Sequence, residues 1–401
     1  MSMLDGLRTL DELPLEGRRT FVRADLDVPL ERGRIADETR LLAAVPTLKR
    51  VLEKGGRLIV GTELGRPKGR VRAELGLEPV GARLSELLGT DVYLPDESLG
   101  DAARKIVQDL RPGQLCLLEN LGFEAREADD DHAFAERLAA LCDVYVNDAF
   151  AVAHRRVASI DALPRLVHER GMGLAFEAEL RALDRLRTNP ERPYLGVLGG
   201  GRAREALELF ESLLGRCTAL ACGGLLANTL LAARGHDLKA TRLDADLLAR
   251  ARAALERARD LRTEVLLPSD VIVAESESAP QGFSVSVGAV PDGHMVLDVG
   301  EATVRRYTEA AARARTVIFS GELGAAHREA FAAGTLAFAR ALATSEAFHV
   351  LHGERLASLL RRRDEELLVR IGHVSSGERA SLEFIEGRPL AGLEALRVGA
   401  S

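Results

Sequence analysis

The sequence predicts an α/β protein of two Rossmann-like lobes, each built on a parallel sheet and joined by a hinge. Three observations carry this. Short β-branched runs that end in charged or glycine-rich loops alternate with helical repeats along both halves. The alternation breaks once, at an amphipathic run over 170–188 followed by the loop Asn189-Pro190-Glu191-Arg192-Pro193, and it restarts at Tyr194. Neither an internal repeat nor a low-complexity tract interrupts it. The lobes are thus expected at 1–169 and 189–372, with 170–188 as an interdomain helix and 373–401 as a C-terminal segment.

In the first half, Val22, Ala24, Leu26 and Val28 alternate with Arg23, Asp25 and Asp27 as far as Pro29. That period of two predicts a half-buried strand projecting one arginine and two carboxylates from one face. Leu41, Leu42, Val45, Leu48, Val51 and Leu52 then recur at helical spacing, and Gly55-Gly56 stops them. Arg57–Gly61 reads as a second strand opening into the loop Thr62–Pro67. A β-α-β unit of this kind makes a parallel sheet. Ligands of such sheets sit beyond the carboxyl ends of the strands, where Asp25, Asp27 and Arg66 fall. The pattern alone leaves two readings open: these charges bind a ligand, or they only solvate strand ends and pair with one another.

In the second half, strands are expected at 194–198, 218–222, 264–274, 294–299 and 316–320. Helices are expected at 203–214, 225–234, 243–261 and 356–368. The strand 194–198 runs into Gly199-Gly200-Gly201-Arg202 ahead of a helix, a turn whose amides would suit an anion. No G-x-x-x-x-G-K-[ST] loop is present.

Composition fits a chain of two or three domains with a sizeable core. At 46% hydrophobic residues it is not a disordered chain. Net charge of −7 argues against a nucleic-acid surface. The N-terminus has no apolar signal core, and no apolar run nears the ~18 residues that span a bilayer. A cytoplasmic monomer binding neither nucleic acid nor membrane is expected. Cys116, Cys142, Cys217 and Cys222 lack ligand spacing and lie in apolar stretches, so buried reduced thiols are expected. The only lysines are Lys49, Lys54, Lys68, Lys105 and Lys239. None is available to the glycine loops of the second half.

Blocks along nearly the whole chain resemble phosphoglycerate kinases. They include VRADLDVPL (22–30), DETRLLAAVPTLKRVLEKGGRLIV (37–60), LGRPKG (64–69), LLEN (117–120), DVYVNDAF (143–150), NPERPYLGVLGG (189–200) and HVSSGERASLEFIEG (373–387). The resemblance implies a glycolytic phosphotransferase. It would move the acyl phosphate of 1,3-bisphosphoglycerate reversibly to Mg-ADP, giving 3-phosphoglycerate and ATP. Acid and nucleotide would bind on opposing lobes, and the C-terminal segment would pack back on the first.

On the acid side the resemblance points to Arg23, Asp25, Asp27, Arg40, Glu63, Leu64, Gly65, Arg66, Gly122 and Arg155, with Arg40 and Arg202 as the catalytic cations. An arginine fork suits carboxylate and phosphate oxygens. Three positions depart from the family: Asp27 stands for asparagine, Glu63 for histidine and Gly122 for arginine. Asp27 and Glu63 are expected to pair with Arg23 and Arg66 and close the patch internally.

On the nucleotide side the implied positions are Gly199, Gly200, Gly201, Arg202, His327, His352, Gly353, Glu354 and Arg355. Glu354 would be the Mg²⁺ contact. Here too the chain departs. Arg202 and Ala206 replace two lysines, Ser320 and Glu322 replace asparagine and proline, and His327 replaces a ribose-binding glutamate. Leu351-His352 and Glu378-Arg379 interrupt two glycine runs, so Leu351 and His352 are expected to intrude where phosphates would lie. Binding of Mg²⁺ with ADP or ATP is therefore doubtful, and weak or lost transfer is expected. Two alternatives stand beside this: a non-catalytic binding or scaffold protein, and a small-molecule kinase with a different acid acceptor.

Overall fold

The computed structural model describes residues 6–398. The described residues divide into two compact units, one of residues 6–181 with 379–398 and the other of 182–378. The Leu174–Thr188 helix runs through the first boundary.

The sheet of the first unit has six parallel strands, in the order Val92–Tyr93, Leu115–Leu117, Arg57–Gly61, Arg19–Arg23, Val144–Asn147, Glu169–Met172. Its central strands are buried on both faces, and Phe21, Val22, Leu58, Ile59, Val60, Val144 and Val146 are inaccessible to solvent. Strands covered on both sides read as unbroken apolar runs. The helix Thr39–Glu53 lays Leu41, Leu48 and Val51 on this sheet. Asp37 caps its start, accepting from the Thr39 amide and hydroxyl at 2.8 and 2.5 Å.

The first strand is shorter than its alternation predicts. It ends at Arg23, and Ala24–Pro29 leave the sheet. Leu30–Glu31 and Arg34–Ile35 then form a small hairpin through Arg32 and Gly33, both at positive φ. The expected helix at 170–188 also divides: residues through Met172 complete the edge strand, and the helix begins at Leu174. Residues 379–398 fold with this unit, where Gly392 donates to the Ala153 carbonyl and Phe384 packs edge-on against Phe150.

Asp148 joins these pieces. Its Oδ1 accepts the amides of Ala175 and Phe176 at the start of the Leu174–Thr188 helix, at 2.9 and 3.2 Å. Its Oδ2 is buried without a hydrogen-bond partner. Burial pushes the carboxyl up from its ordinary 3.8 to about 7, against the pull of the Thr47 side chain and the two amides. A raised folded-state value means stabilisation that is complete below the ordinary value and lost as pH rises through about 7. Between pH ~4 and ~7 the stability should therefore fall by up to ~4 kcal/mol on this account. Urea midpoints across that range should show the slope in the native chain and lose it in Asp148→Asn. A slope that survives in the variant would remove Asp148 as its source.

The second unit repeats the architecture with the strand order Glu264–Leu266, Ala219–Cys222, Tyr194–Leu198, Thr316–Ser320, Phe348–His352, His373–Ser375, all parallel. The stretch expected as one strand over 264–274 is two. Asp270–Ala274 belongs to a separate antiparallel sheet between Phe283–Ser286 and Met295–Val299. The helix expected over 356–368 is likewise two, Glu354–Arg363 and Glu365–Arg370. A core cluster gathers around Val197, Val317, Phe319, Phe338 and Leu351, with smaller ones around Phe331 and Leu359. All four cysteines are buried free thiols. Among the described residues no helix is long and apolar enough to cross a membrane.

Candidate active site

Each sheet has a point where strand order reverses, and ligands of such folds gather there at the carboxyl ends. In the first unit the point lies between Arg19–Arg23 and Val144–Asn147, and in the second between Tyr194–Leu198 and Thr316–Ser320. The sequence-selected residues cluster at these two places.

Arg23 does not project from the sheet. It is 1% exposed. Its Nε donates to Ser159 Oγ at 2.9 Å and its Nη1 to the Ala24 carbonyl at 2.6 Å. Ser159 in turn donates Oγ–H to Glu127 at 2.5 Å, while its amide donates to the other oxygen of that carboxylate. An arginine and a glutamate are thus buried together through one serine, and neither faces solvent. No local pattern marks this pairing, because Glu127 is over a hundred residues away from Arg23.

Apart from Arg66, the remaining acid-side charges are satisfied, but not by the partners expected. Arg40 holds both oxygens of Asp25, at 3.2 and 3.0 Å. Glu63 takes Arg155 at 2.5 Å rather than Arg66. Asp27 accepts the Gly65 amide at 2.7 Å rather than Arg23. Arg66 is exposed. The loop carrying Leu64 and Gly65 is pinned by buried Asn120, which accepts from the Leu64 and Gly122 amides and donates to the Leu64 carbonyl. Gly122 is tightly enclosed: a Cβ there would stand 2.8 Å from Pro67 Cγ and 2.9 Å from Glu63 Cγ. Glu63 and Gly122 therefore fit together, the glutamate stem filling space that a side chain at 122 would need.

In the second unit the glycine turn is closed on itself. Gly199 and Gly200 do not offer their amides outward. They donate to the carbonyls of Ser320 and Glu322 at 2.9 and 2.7 Å. Gly199 is required by the approach of this neighbour, since a Cβ would fall 2.1 Å from the Glu322 carbonyl oxygen. The Glu322 side chain is buried, and its Oε2 lies 3.8 Å from where a Cβ on Gly200 would be. Beside Gly201 there is open space. Arg202 is exposed and paired with Glu205 on the next turn, at 3.0 Å.

Of the other nucleotide-side residues, Arg355 is tied to this turn through Glu322, its Nε lying 3.7 Å from that carboxylate. Glu354, the first residue of its helix, sits 3.8 Å from Arg361. His327 is 3.3 Å from Glu277. Gly353 has φ +110° with open space around it. His352 does not intrude into a loop. It ends the Phe348–His352 strand, 6% exposed, with Nδ1 at 2.9 Å from Ser320 Oγ and Nε2 at 3.0 Å from the Glu378 carbonyl. Glu378 itself adopts φ +40° where the family has glycine.

The family model for phosphoglycerate kinase matches residues 10–388. The chain belongs to the phosphoglycerate kinase family. A phosphoglycerate kinase of Anaeromyxobacter sp. (strain Fw109-5) is 40% identical over 395 residues, covering 98% of this chain and 99% of the relative. That of Moorella thermoacetica is 39% identical over 389 residues, covering 97% and 98%. Among solved structures, phosphoglycerate kinase from Coxiella burnetii superposes with a TM-score of 0.88 at 32% identity, and that from Pyrococcus horikoshii with 0.81 at 28%. Each covers 97% of this chain and 98% of the neighbour. Against that family membership, the carboxylates of Glu63 and Glu322 are the departures with the most direct electrostatic consequence. Each is largely shielded from water and lies beside an arginine, Glu63 by Arg155 and Glu322 by Arg355.

Proposed function

We propose that this phosphoglycerate kinase family member has lost efficient phosphoryl transfer between 1,3-bisphosphoglycerate and Mg-ADP. The observation that carries the reading is the buried Glu322 carboxylate at the glycine turn. Phosphoryl transfer depends on positioning and positive potential rather than on covalent chemistry by the protein. Here the turn has a carboxylate beside it, two of its amides serve the fold, and its arginine is held by Glu205. Like unit charges at ~4 Å repel by a few kcal/mol at the effective dielectric of a protein surface. A nucleotide phosphate would meet repulsion where it needs attraction.

The Mg²⁺ that accompanies ADP and ATP does not fit the residues present. Glu354, the carboxylate that the family resemblance offers to Mg²⁺, already faces the Arg361 guanidinium. Hard divalent cations of this kind take oxygen ligands free of competing cations.

On the acid side, Glu63 competes internally for Arg155. Replacing Glu63 by Gln keeps the shape and a hydrogen bond while removing the charge. Titration of 3-phosphoglycerate by calorimetry should then show at least ~10-fold tighter binding, about 1.4 kcal/mol. An unchanged affinity would mean that Arg155 takes no part in recognising the acid. A coupled phosphoglycerate kinase assay with Mg-ADP calorimetry tests the reading as a whole.

A further inference from the structure

We propose that Ser320 is a nucleophile activated by His352, giving the second unit a hydrolytic site for small uncharged carboxylic esters. This goes beyond the loss of kinase activity and does not depend on it.

The geometry fixes the imidazole's tautomer. The Glu378 carbonyl can only accept, so Nε2, 3.0 Å away, carries the proton and donates. In the neutral ring Nδ1 is then an acceptor, and the hydroxyl 2.9 Å from it, Ser320 Oγ, is the donor. A hydroxyl donating to an imidazole whose other nitrogen is held by a third group is the arrangement that activates a serine. The ring is held in place by burial at the end of its strand, whereas Ser320 keeps partial exposure. Glu378, at φ +40°, keeps a strained backbone at the carbonyl that orients the ring.

Location agrees. Ser320 ends the strand at the switch point of this sheet, next to Tyr194–Leu198, with open space at Gly201 and Gly353. The amide of Gly321, which follows the serine, makes no hydrogen bond among the described residues, and the amide after the nucleophile is a usual oxyanion donor. The buried Glu322 carboxylate two residues on disfavours an anionic substrate and leaves a neutral ester.

In the reaction Ser320 Oγ attacks the ester carbonyl carbon and its proton passes to Nδ1 of His352. The bond from that carbon to the alcohol oxygen breaks, and the alkoxide leaves with the proton from Nδ1. Water then attacks the acyl-serine with the same proton route, releasing the carboxylic acid and restoring the hydroxyl.

The test uses the full chain with p-nitrophenyl acetate and with a fluorophosphonate probe, in the native protein, Ser320→Ala and His352→Gln. Glutamine can hold both neighbours by hydrogen bonds but cannot relay the proton, and melting curves report whether each variant is folded. Expected are probe attachment mapped by mass spectrometry to Ser320 and an ester turnover that falls at least ~100-fold in Ser320→Ala. Turnover and labelling should both fall at least ~10-fold in folded His352→Gln. Absence of the adduct, an adduct on another residue, or turnover unchanged in Ser320→Ala overturns the proposal. If His352→Gln does not fold, Ser320→Ala and the adduct map decide alone. Labelling unchanged in folded His352→Gln also overturns it, leaving His352 as a tie between loops.

Discussion

Purified protein should turn over 1,3-bisphosphoglycerate and Mg-ADP at no more than ~0.1% of the ~10 s⁻¹ median for enzymes. Single electrostatic donors aimed at a transition state are worth about 100- to 1,000-fold in rate. Ala206 and Gly122 each lack a cation that the family resemblance places there, and Glu322 adds a buried anion at the glycine turn. Such losses are not additive, so the expected deficit is set by the largest of them rather than their product. Binding should fail in parallel, with Mg-ADP held more weakly than ~1 mM by calorimetry. Turnover of several per second, lost on substitution of Arg40 and Arg202, would show that the remaining arginines suffice. Micromolar Mg-ADP binding without turnover would separate recognition from chemistry and locate the defect on the acid side.

Loss of Arg23 should be the most damaging single change to stability in the first unit. Arg23→Met keeps the length of the side chain and removes its charge, leaving Glu127 buried with Ser159 alone. Burial already holds the Glu127 carboxyl above its ordinary value, and Arg23 acts against that shift. Removing one partner of a buried charged network costs ~3–5 kcal/mol. Urea unfolding of the variant should show that loss. The companion Arg23→Met with Glu127→Leu should recover much of it, because no charge is then left behind. A loss below ~1 kcal/mol, or a double variant worse than the sum of the singles, would mean that the two residues do not stabilise one another.

The Arg23 network shows where reading the chain in order stops, and the regular elements show where it succeeds. Strand and helix periods are local, so Arg57–Gly61, the Thr39–Glu53 helix and the strand entering Gly199-Gly200-Gly201 were legible from spacing alone. Boundaries were less so. The alternation of Val22 to Val28 continues past the last paired residue, since a chain leaving a sheet can still bury every second side chain. The pair of strands within 264–274 was also hidden, because a continuous apolar run carries no mark of which sheet each part joins.

The sequence by itself determined the family, the two parallel sheets and the identity of the charges at their switch points, because these depend on local periods and contiguous motifs. It also carried the scarcity of lysine in the second half, where Lys239 is the only one, a fact of composition. Only the tertiary structure decided which charge meets which. Glu63 reaches Arg155 across 92 positions and Arg23 reaches Ser159 across 136. Nothing in the local pattern distinguishes those partners from Arg66 or Asp27. The same holds for His352, whose place in a glycine run suggested an intrusion into a ligand's space. Parallel pairing of Phe348–His352 with Thr316–Ser320 instead sets its ring against Ser320, in register across 32 positions of chain. Register between distant strands is a property of the assembled sheet, and it turned a disrupted loop into a hydrogen-bonded pair.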